Sequence, residues 1–252
     1  MSEVSEARAD TVSTAVGLLR ADLGTTLRLT ELADALGYSP YHLTRVFRTV
    51  VGVPPGEFRT ALRFDLAKRL LLLDGLSVTE ACYAVGFDSL GTFSARFSRL
   101  VGVSPAEFQR LPERVHESTP DHVIVRSSGD TRALVHGTVH SDCDGPVYVG
   151  LFPTSIAHSL PVAGTYLPRP GRFELPAVPF GSYRLLAAGY PPTADAIARL
   201  LPDRRTRVGR AAEWVRVVTG TERIRADVRL RPLDPNQPPL LVATPALSLP
   251  RT

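Results

Sequence analysis

Four side chains between residues 41 and 48 have the chemistry needed to contact base edges in duplex DNA. Tyr41, Thr44, Arg45 and Arg48 recur at spacings of three and four, so they would share one face of a helix. An arginine guanidinium can donate two parallel hydrogen bonds to O6 and N7 of guanine. His42 lies beside this face and could reach a phosphate or a base. The pattern predicts a DNA-reading helix, although an isolated stripe of this kind is more often a solvated face.

The residues around this stripe predict how it is positioned. Leu43, Val46, Phe47 and Val50 form the opposite, apolar face of the same helix. A short helix over residues 29–36 precedes it and ends at a glycine, after which Ser39 is a suitable N-cap. Two short helices joined by a glycine turn are the geometry of the helix–turn–helix, whose second helix places its first residues in the major groove.

The same unit occurs twice, first over residues 37–58 and again over residues 86–108. The matched pairs are Gly37 and Gly86, Ser39 and Ser89, Phe47 and Phe97, Gly52 and Gly102, Pro55 and Pro105, Glu57 and Glu107, and Phe58 and Phe108. A repeat of this detail indicates one supersecondary unit used two times. Between the copies, residues 54–73 predict a long helix whose apolar line is Phe58, Leu62, Leu66 and Leu70, with Arg59, Arg63, Lys68 and Arg69 off that line. About 20 residues span roughly 30 Å, close to the ~34 Å of one DNA turn, so this helix could space two readers.

The second copy carries a plainer outward face than the first. The positions aligned with Tyr41, His42, Thr44 and Arg45 are Gly91, Thr92, Ser94 and Ala95. Candidate DNA contacts in this copy are Ser89, Leu90, Gly91, Thr92, Ser94, Arg96 and Arg99. None of the small side chains makes a bidentate pair with a base, and the two arginines suit backbone phosphates. We therefore expect the first motif to carry most base discrimination and the second to add affinity and register.

Composition limits the alternatives. The chain has 252 residues, of which 29 are Lys or Arg and 25 are Asp or Glu. The first 120 residues carry 13 basic and 14 acidic side chains. DNA binding by this part must therefore depend on where its basic side chains lie, and not on its net charge. The two cysteines, Cys82 and Cys143, fall in different halves and predict no disulfide framework. The sequence shows neither a secretion signal nor a run of apolar residues long enough for a bilayer, and we expect a cytoplasmic protein.

The segment from about residue 8 to residue 111 resembles the DNA-binding domain of the AraC/XylS family of bacterial transcription regulators. The matching residues include Leu32-Ala33, Leu43-Thr44-Arg45, Phe93-Ser94 and Ser104-Pro105, together with the repeated glycines and phenylalanines. The resemblance implies seven helices, two helix–turn–helix motifs, promoter binding and, in many members, contact with RNA polymerase. Two features depart from the family. Ala95 stands where an arginine is usual, and the additional domain follows the DNA-binding domain instead of preceding it.

After a polar linker over residues 112–121, the sequence changes to short strand-like runs separated by Gly, Pro, Asp and Ser. We expect strands at residues 123–125, 133–138, 147–152, 172–175, 183–188, 214–218, 224–230 and 240–243, and one helix at residues 193–201. The predicted fold is therefore an all-α double helix–turn–helix domain of about seven helices in residues 1–111, followed by an all-β sandwich in residues 122–252. The glycine and proline turns of this second half resemble those of carboxypeptidase-regulatory-like or transthyretin-like domains, which implies a non-catalytic role in contacts or ligand binding.

No catalytic, metal or cofactor site is predicted. His136 and His140 would share a strand face near Asp142, Cys143 and Asp144, but an Asp- and Gly-rich turn explains the same residues. Ser155 and His158 have no acidic partner in a recognisable motif, and Trp214 is interpreted as sandwich core. Arg204, Arg205, Arg207 and Arg210 are interpreted as solvated loop charge, with a phosphate contact as the alternative.

The function predicted from these patterns is a sequence-specific, non-enzymatic transcription regulator that binds double-stranded DNA across two major-groove segments. An effector for the second domain and the oligomeric state stay open. One alternative is the DNA-binding adaptor of an alkyl-transfer repair protein, which would need a reactive thiol at Cys143. The other is a protein-interaction module that no longer binds DNA, which the near-neutral first half would suit.

Overall fold

The computed structural model describes residues 3–21, 23–24, 28–115, 124–125, 133–234 and 236–243. The chain divides into two compact units, Met1–Arg96 with Asp234–Leu241 and Phe97–Leu233 with Val242–Thr252. The domain boundaries read from the sequence, at residues 111 and 122, stay a proposal. Among the described helices, none is both long enough and apolar enough to cross a bilayer.

Seven helices form the first part of the chain, as the sequence predicts. They are α1 Glu3–Ala21, α2 Leu29–Ala35, α3 Pro40–Val51, α4 Pro55–Leu72, α5 Val78–Ala84, α6 Leu90–Val101 and α7 Pro105–Val115. The prediction that the last of these ends near Leu111 is wrong, because the helix continues through Pro112. Leu111 is fully buried, and Arg114 pairs with Glu107 at 3.6 Å, two turns earlier on the same helix. The predicted linker is thus helical over residues 112–115, and its remainder lies outside the described residues.

The repeat seen in the sequence is also a repeat of packing. The rings of Phe47 and Phe58 meet edge to face with centroids 5.4 Å apart, and those of Phe97 and Phe108 do so at 5.6 Å. All four rings are fully buried. Each of the two reading-helix candidates, α3 and α6, is therefore fixed to the start of the following helix by the same aromatic contact.

Helix α4 is buried on more sides than its sequence predicts. Its buried residues are Pro55, Phe58, Ala61, Leu62, Phe64, Ala67, Lys68 and Leu71, whereas Leu66 and Leu70 of the expected apolar line are only half-buried. Lys68, placed by the pattern off that line, is fully buried. Its Nζ donates a hydrogen bond to the main-chain oxygen of Leu240 at 3.0 Å. The periodicity failed here because residues 234–241, distant in sequence, pack within the same unit as this helix.

The second half is a two-sheet β structure, as predicted. Its elements are β1 Ile124–Val125, β2 Leu134–His140, β3 Val147–Phe152, β4 Ala163–Leu167, β5 Arg172–Leu175, β6 Gly181–Gly189, α8 Ala196–Leu200, β7 Arg207–Arg210, β8 Val215–Val217, β9 Arg223–Arg225, β10 Val228–Arg229 and β11 Arg231–Pro232. The larger sheet has the order β1-β4-β3-β6-β7-β11 with β8 paired to β6, and the smaller has the order β10-β2-β5 with β9 paired to β2. Alternate residues of both sheets, such as Val135, Phe173, Leu151 and Leu185, meet in one apolar core.

Three strands were not predicted, and one predicted strand is absent. β4 and β7 each contain a glycine, and β7 also carries two arginines, so their sequences read as turns or charged loops. In β7, a Cβ on Gly209 would lie 2.5 Å from the main-chain oxygen of Arg229, so the strand needs glycine for close packing. β11 has only two residues. Residues 240–243 form no strand, and the run predicted at 224–230 is divided among β9, β10 and the residues between them.

Trp214 is not part of the sandwich core, contrary to the prediction. It is 37% exposed, and the guanidinium carbon of Arg184 lies 4.5 Å from its ring centroid. The strand residues next to it, Val215 and Val217, are the buried ones. Alternation along the strand places the tryptophan ring on the outer face.

Candidate nucleic-acid interface

The first helix–turn–helix consists of α2, the turn at residues 36–39 and α3. Gly37 adopts φ +71°, and the Tyr38 amide donates to the Ala33 oxygen at 2.9 Å, which closes the turn. Ser39 is the N-cap of α3, and its hydroxyl accepts a hydrogen bond from the His42 amide at 3.3 Å. Pro40 occupies the first helical position. These local contacts set the direction in which α3 leaves the turn.

The outward face of α3 carries the residues that the sequence pattern selects. Tyr41 is 82% exposed, and Arg45 and Arg48 are also exposed. Neither arginine forms an ion pair with a carboxylate within the described residues. Leu43, Val46 and Phe47 are buried beneath this face, whereas Val50 is exposed and Val51 is buried in its place. The helix therefore presents one phenol and two guanidinium groups to solvent.

Two further candidates on α3, Thr44 and His42, already contact neighbouring residues of the first motif. The Thr44 hydroxyl donates to the Pro40 oxygen at 2.7 Å, so it can offer only its oxygen lone pairs to another group. The His42 ring stacks on the Tyr38 ring with centroids 5.0 Å apart and 4° between the planes. Stacking restricts the orientation of the imidazole, which is half-buried.

The second helix–turn–helix, α5 and α6, repeats the turn of the first. Gly86 adopts φ +76°, and the Phe87 amide donates to the Cys82 oxygen at 3.1 Å. Ser89 accepts a hydrogen bond from the Thr92 amide at 3.3 Å, as Ser39 does from His42. A Cβ on Gly86 would also lie 3.1 Å from the Gly24 oxygen, so close approach adds to the demand for glycine.

Helix α5 begins with a capping box. The Ser77 hydroxyl accepts from the Glu80 amide at 3.2 Å, and the Ser77 amide donates to the Glu80 carboxylate at 2.8 Å. The hydrogen bonds from Ser77 lower the pKa of Glu80 below its ordinary value. The first helix of the second motif is thus closed at its start by two reciprocal contacts.

The outward face of α6 is small and weakly polar, in contrast to that of α3. Gly91, Thr92 and Ala95 are exposed, Leu90 is 40% exposed, and Ser94 is half-buried. Arg96 and Arg99 are both exposed and flank this face. The difference in chemistry between the two faces, expected from the alignment of the copies, is present in the structure.

The carboxyl end of α6 belongs to the second unit and is capped by other residues of that unit. The Ser159 amide donates to the Leu100 oxygen at 2.6 Å, and the Ser159 hydroxyl donates to the Arg99 oxygen. The Ala243 amide donates to the Val101 oxygen at 3.0 Å. These contacts satisfy carbonyl groups that the end of a helix leaves without partners.

The patterns missed Arg28, which no motif includes because it precedes α2. Its side chain and that of Arg59 line a cavity of about 80 Å³ at the amino ends of α2 and α4. The rest of the lining consists of Leu19 of α1, Leu29 and Leu32 of α2, and Pro55 and Gly56 of α4. The only available sequence signal was a basic residue directly before a helix.

The remaining candidate sites show no assembled chemistry. His136 and His140 lie on β2, and no group of three His, Cys, Asp or Glu side chains able to hold a metal occurs among the described residues. Cys143 is half-buried, and its thiol donates to the Tyr190 oxygen at 3.5 Å. Cys82 is fully buried. Burial, and then the charge of Asp88, raise the pKa of its thiol. In the basic patch, Arg205 pairs with Asp203 at 2.9 Å and Arg207 with Asp142 at 3.1 Å.

Residues 32–111 match the protein family described as "Helix-turn-helix domain". The chain is 34% identical over 91 residues to the HTH-type transcriptional activator AarP of Providencia stuartii, covering 36% of this chain and 67% of that protein. It is 34% identical over 91 residues to the HTH-type transcriptional regulator Rv1931c of Mycobacterium tuberculosis, and 32% identical over 95 residues to the right origin-binding protein of Escherichia coli. The alignment with Rv1931c covers 36% of this chain and 35% of that protein. The alignment with the right origin-binding protein covers 38% of this chain and 33% of that protein.

Solved structures are also similar to part of the chain. The C-terminal domain of AraT, a response regulator from Geobacillus stearothermophilus, is 30% identical, with 44% of this chain and 93% of that chain covered and a TM-score of 0.39. The DNA-binding domain of AdpA, solved in complex with a target DNA, is 26% identical, with 42% and 97% covered and a TM-score of 0.39. The chain spans about two thirds of the length of AarP and about one third of the other two relatives.

Proposed function

We propose that this chain, which belongs to the AraC family of helix–turn–helix regulators, is a sequence-specific transcription regulator in which α3 is the main base reader. The observation that carries the proposal is the outward face of α3. Tyr41, Arg45 and Arg48 project from a helix whose start is fixed by a glycine turn and a serine cap. An arginine in the first turns of such a helix has the donor geometry that guanine O6 and N7 accept.

The second motif has a different part in this proposal. The exposed face of α6 offers no planar donor pair before Arg96, so Ser89, Leu90, Gly91, Thr92 and Ser94 would contact backbone or thymine methyl groups. Arg96 and Arg99 would neutralise phosphates. Contacts of this kind add affinity and fix register without specifying a base.

The β-rich half is assigned a partner-binding or effector-binding role. The family match ends at residue 111, so the likeness of residues 122–252 to transthyretin-like sandwiches is part of the proposal. Contact with RNA polymerase, a small-molecule effector and action in the cytoplasm also belong to it. The alkyl-transfer alternative loses support because the Cys143 thiol donates to the main-chain oxygen of Tyr190 instead of to a basic side chain.

Selection of duplexes from a random pool by the full-length chain tests the proposal. We expect one sequence motif to be enriched. The logarithm of the binding constant should fall linearly with the logarithm of the salt concentration, with a slope of about −0.9 for each neutralised phosphate. Recovery of unenriched sequences with strong salt dependence would reduce the function to non-specific DNA binding. If duplex DNA is not retained at low salt, the protein-interaction alternative is correct.

A further inference from the structure

The ladder between β6 and β8 has a buried face and an exposed face. Tyr183 pairs with Val215 and Gly181 with Val217; Tyr183, Val215 and Val217 are buried in the core. Ser182 pairs with Arg216 between them, and both are exposed. Because side chains alternate along a strand, the outer face also carries the residues on either side of these pairs. We name this surface the ladder strip, and it consists of Phe180, Ser182, Arg184, Trp214, Arg216 and Val218.

The ladder strip exposes more apolar surface than a solvated strand pair normally does. Phe180 is 58% exposed, Val218 is 62% exposed and Trp214 is 37% exposed. Phe180 and Val218 each come one residue beyond the Gly181–Val217 pair, at the same end of the ladder. Exposed apolar groups brought together and rimmed by polar residues are characteristic of interaction sites.

The strip is held in place before any partner binds. The Tyr183 hydroxyl donates to the Phe180 oxygen at 2.9 Å, which fixes the residue that enters β6. Arg184 covers one face of the Trp214 ring, and its Nη1 lies 3.4 Å and 3.3 Å from the oxygens of Ala211 and Ala212. Anchors that are already ordered lose little conformational entropy on binding.

The charge on and beside the strip is net positive, with Arg184, Arg210 and Arg216 against Glu213. Arg184, Arg210 and Arg216 form no ion pair with a carboxylate in the part of the chain that the structure describes. Burial, and then the charge of Arg210, lower the pKa of the Arg184 guanidinium, whereas Glu213 acts in the opposite direction. A partner that brings carboxylates would relieve the repulsion between Arg184 and Arg210.

We propose that the ladder strip binds an extended segment of a partner protein in which acidic side chains alternate with apolar ones. Within the described residues β8 pairs with β6 alone, so the other edge of β8 is unpaired. An extended segment of a partner could add to that edge as a further strand. An extended segment places alternate side chains on one face, which suits a surface of apolar anchors with arginines between them. Phe180 and Val218 would take apolar side chains, and Arg184 and Arg216 would take carboxylates.

Single-stranded nucleic acid fits this surface less well. Base recognition on a sheet needs free aromatic faces for stacking. One face of Trp214 is occupied by Arg184, and Val218 offers no ring. Phe180 is the remaining aromatic ring of the strip, and one ring does not make a stacking platform for successive bases. The apolar end of the strip is therefore suited to side chains of a protein.

The test uses a library of random 12-residue peptides displayed on phage, selected against the full-length chain. Phe180→Ser/Val218→Ser is the negative variant, and Leu73→Ser is the control, because Leu73 is a similarly exposed apolar residue at the end of α4. We expect peptides that alternate Asp or Glu with apolar residues. Synthetic copies should bind the negative variant at least tenfold more weakly and the control equally well. Arg216→Glu should weaken the same peptides by a similar factor, with the circular dichroism spectrum unchanged.

Three results would overturn the proposal. One is a set of recovered peptides without acidic enrichment, or with equal affinity for the negative variant. Another is binding of a labelled dT12 oligonucleotide to the wild-type chain that Phe180→Ser/Val218→Ser abolishes. That result would make the strip a nucleic-acid surface. The last is a concentration-dependent dimer in sedimentation that the same double substitution abolishes, which would assign the strip to a second copy of the chain.

Discussion

The amino group of Lys68 donates to the main-chain oxygen of Leu240 across 172 positions of sequence, at 3.0 Å and fully out of contact with solvent. Burial, opposed by Asp65 and reinforced by Arg69, lowers the pKa of Lys68 to about 8. A single buried lysine thus connects the long central helix to a segment near the end of the chain.

This arrangement predicts a rise in stability at alkaline pH. Below pH 8 both the folded and unfolded states carry the proton on Lys68, so its contribution does not vary. Between about pH 8 and the ordinary value of 10.5 the folded state releases a proton that the unfolded state retains, and the free energy of unfolding rises with pH. The full rise would be on the order of 3 kcal/mol. Urea unfolding of the wild type and of Lys68→Met from pH 7 to 10 measures it, because the variant should lack this component. Parallel pH profiles for the two proteins would contradict the assignment.

Arg45→Ala tests the main reader. We expect a loss of about 1–3 kcal/mol on the selected DNA site and weaker discrimination at one base position, because a bidentate donor to a base edge is removed. Arg229→Ala, an exposed arginine on β10, is the matched control and should bind like the wild type. Fluorescence anisotropy with the selected site and its single-base variants measures both effects. Unchanged binding by Arg45→Ala would remove α3 from its proposed role.

Arg96→Ala tests the proposed phosphate contact of α6. Affinity should fall by a similar factor for all duplex sequences, and the salt slope should decrease by about 1. The same anisotropy titrations at several salt concentrations give the slope. A loss confined to particular base pairs would show instead that α6 reads sequence.

Ala95→Arg tests whether the plain face of α6 limits the second motif. Ala95 is exposed, so the longer side chain can be accommodated without disturbing the core. We expect tighter binding to duplex DNA in general, with a smaller gain in the ratio of selected to unselected sites. Gel-shift competition with unrelated duplex DNA measures that ratio. An equal or larger gain in selectivity would indicate a reading position that the natural sequence leaves unused.

Thiol labelling separates the two cysteines. With a raised pKa and a fully buried side chain, Cys82 should stay unmodified by a disulfide reagent at neutral pH until the protein unfolds. Cys143, which is half-buried, should account for the labelling of the folded chain, so Cys143→Ser should show almost none. Fast modification of folded Cys143→Ser would mean that Cys82 is accessible, in conflict with the packing of α5.

The helices of the first motif were predictable because their signals are local. A serine cap, a glycine in the left-handed region and a phenylalanine stripe act within a few residues of each other, and each occurs again in the second copy. The exposure of Tyr41 and Arg45 follows from the same periodicity once Phe47 is assigned to the core. Contact of these exposed residues with DNA is the prediction that Arg45→Ala tests.

The features that sequence could not supply depend on distant partners. Lys68 looked solvated because the segment that buries it lies far along the chain. β7 looked like a charged loop, since its place between β6 and β11 is visible only in the sheet. Trp214 was assigned to the core on residue type, whereas the ladder register puts its neighbours there. In each case a contact with residues distant in sequence determined the burial or the secondary structure, and the local sequence pattern did not.

Residues 234–241 belong to the first compact unit although residues 97–233 of the second unit precede them in the chain. During synthesis Lys68 emerges before the β strands, whereas the Leu240 oxygen that accepts its hydrogen bond is made after them. Until Leu240 is made, this hydrogen bond cannot form. The ribosome must therefore have translated nearly all of the β strands before the helical unit can reach its final form.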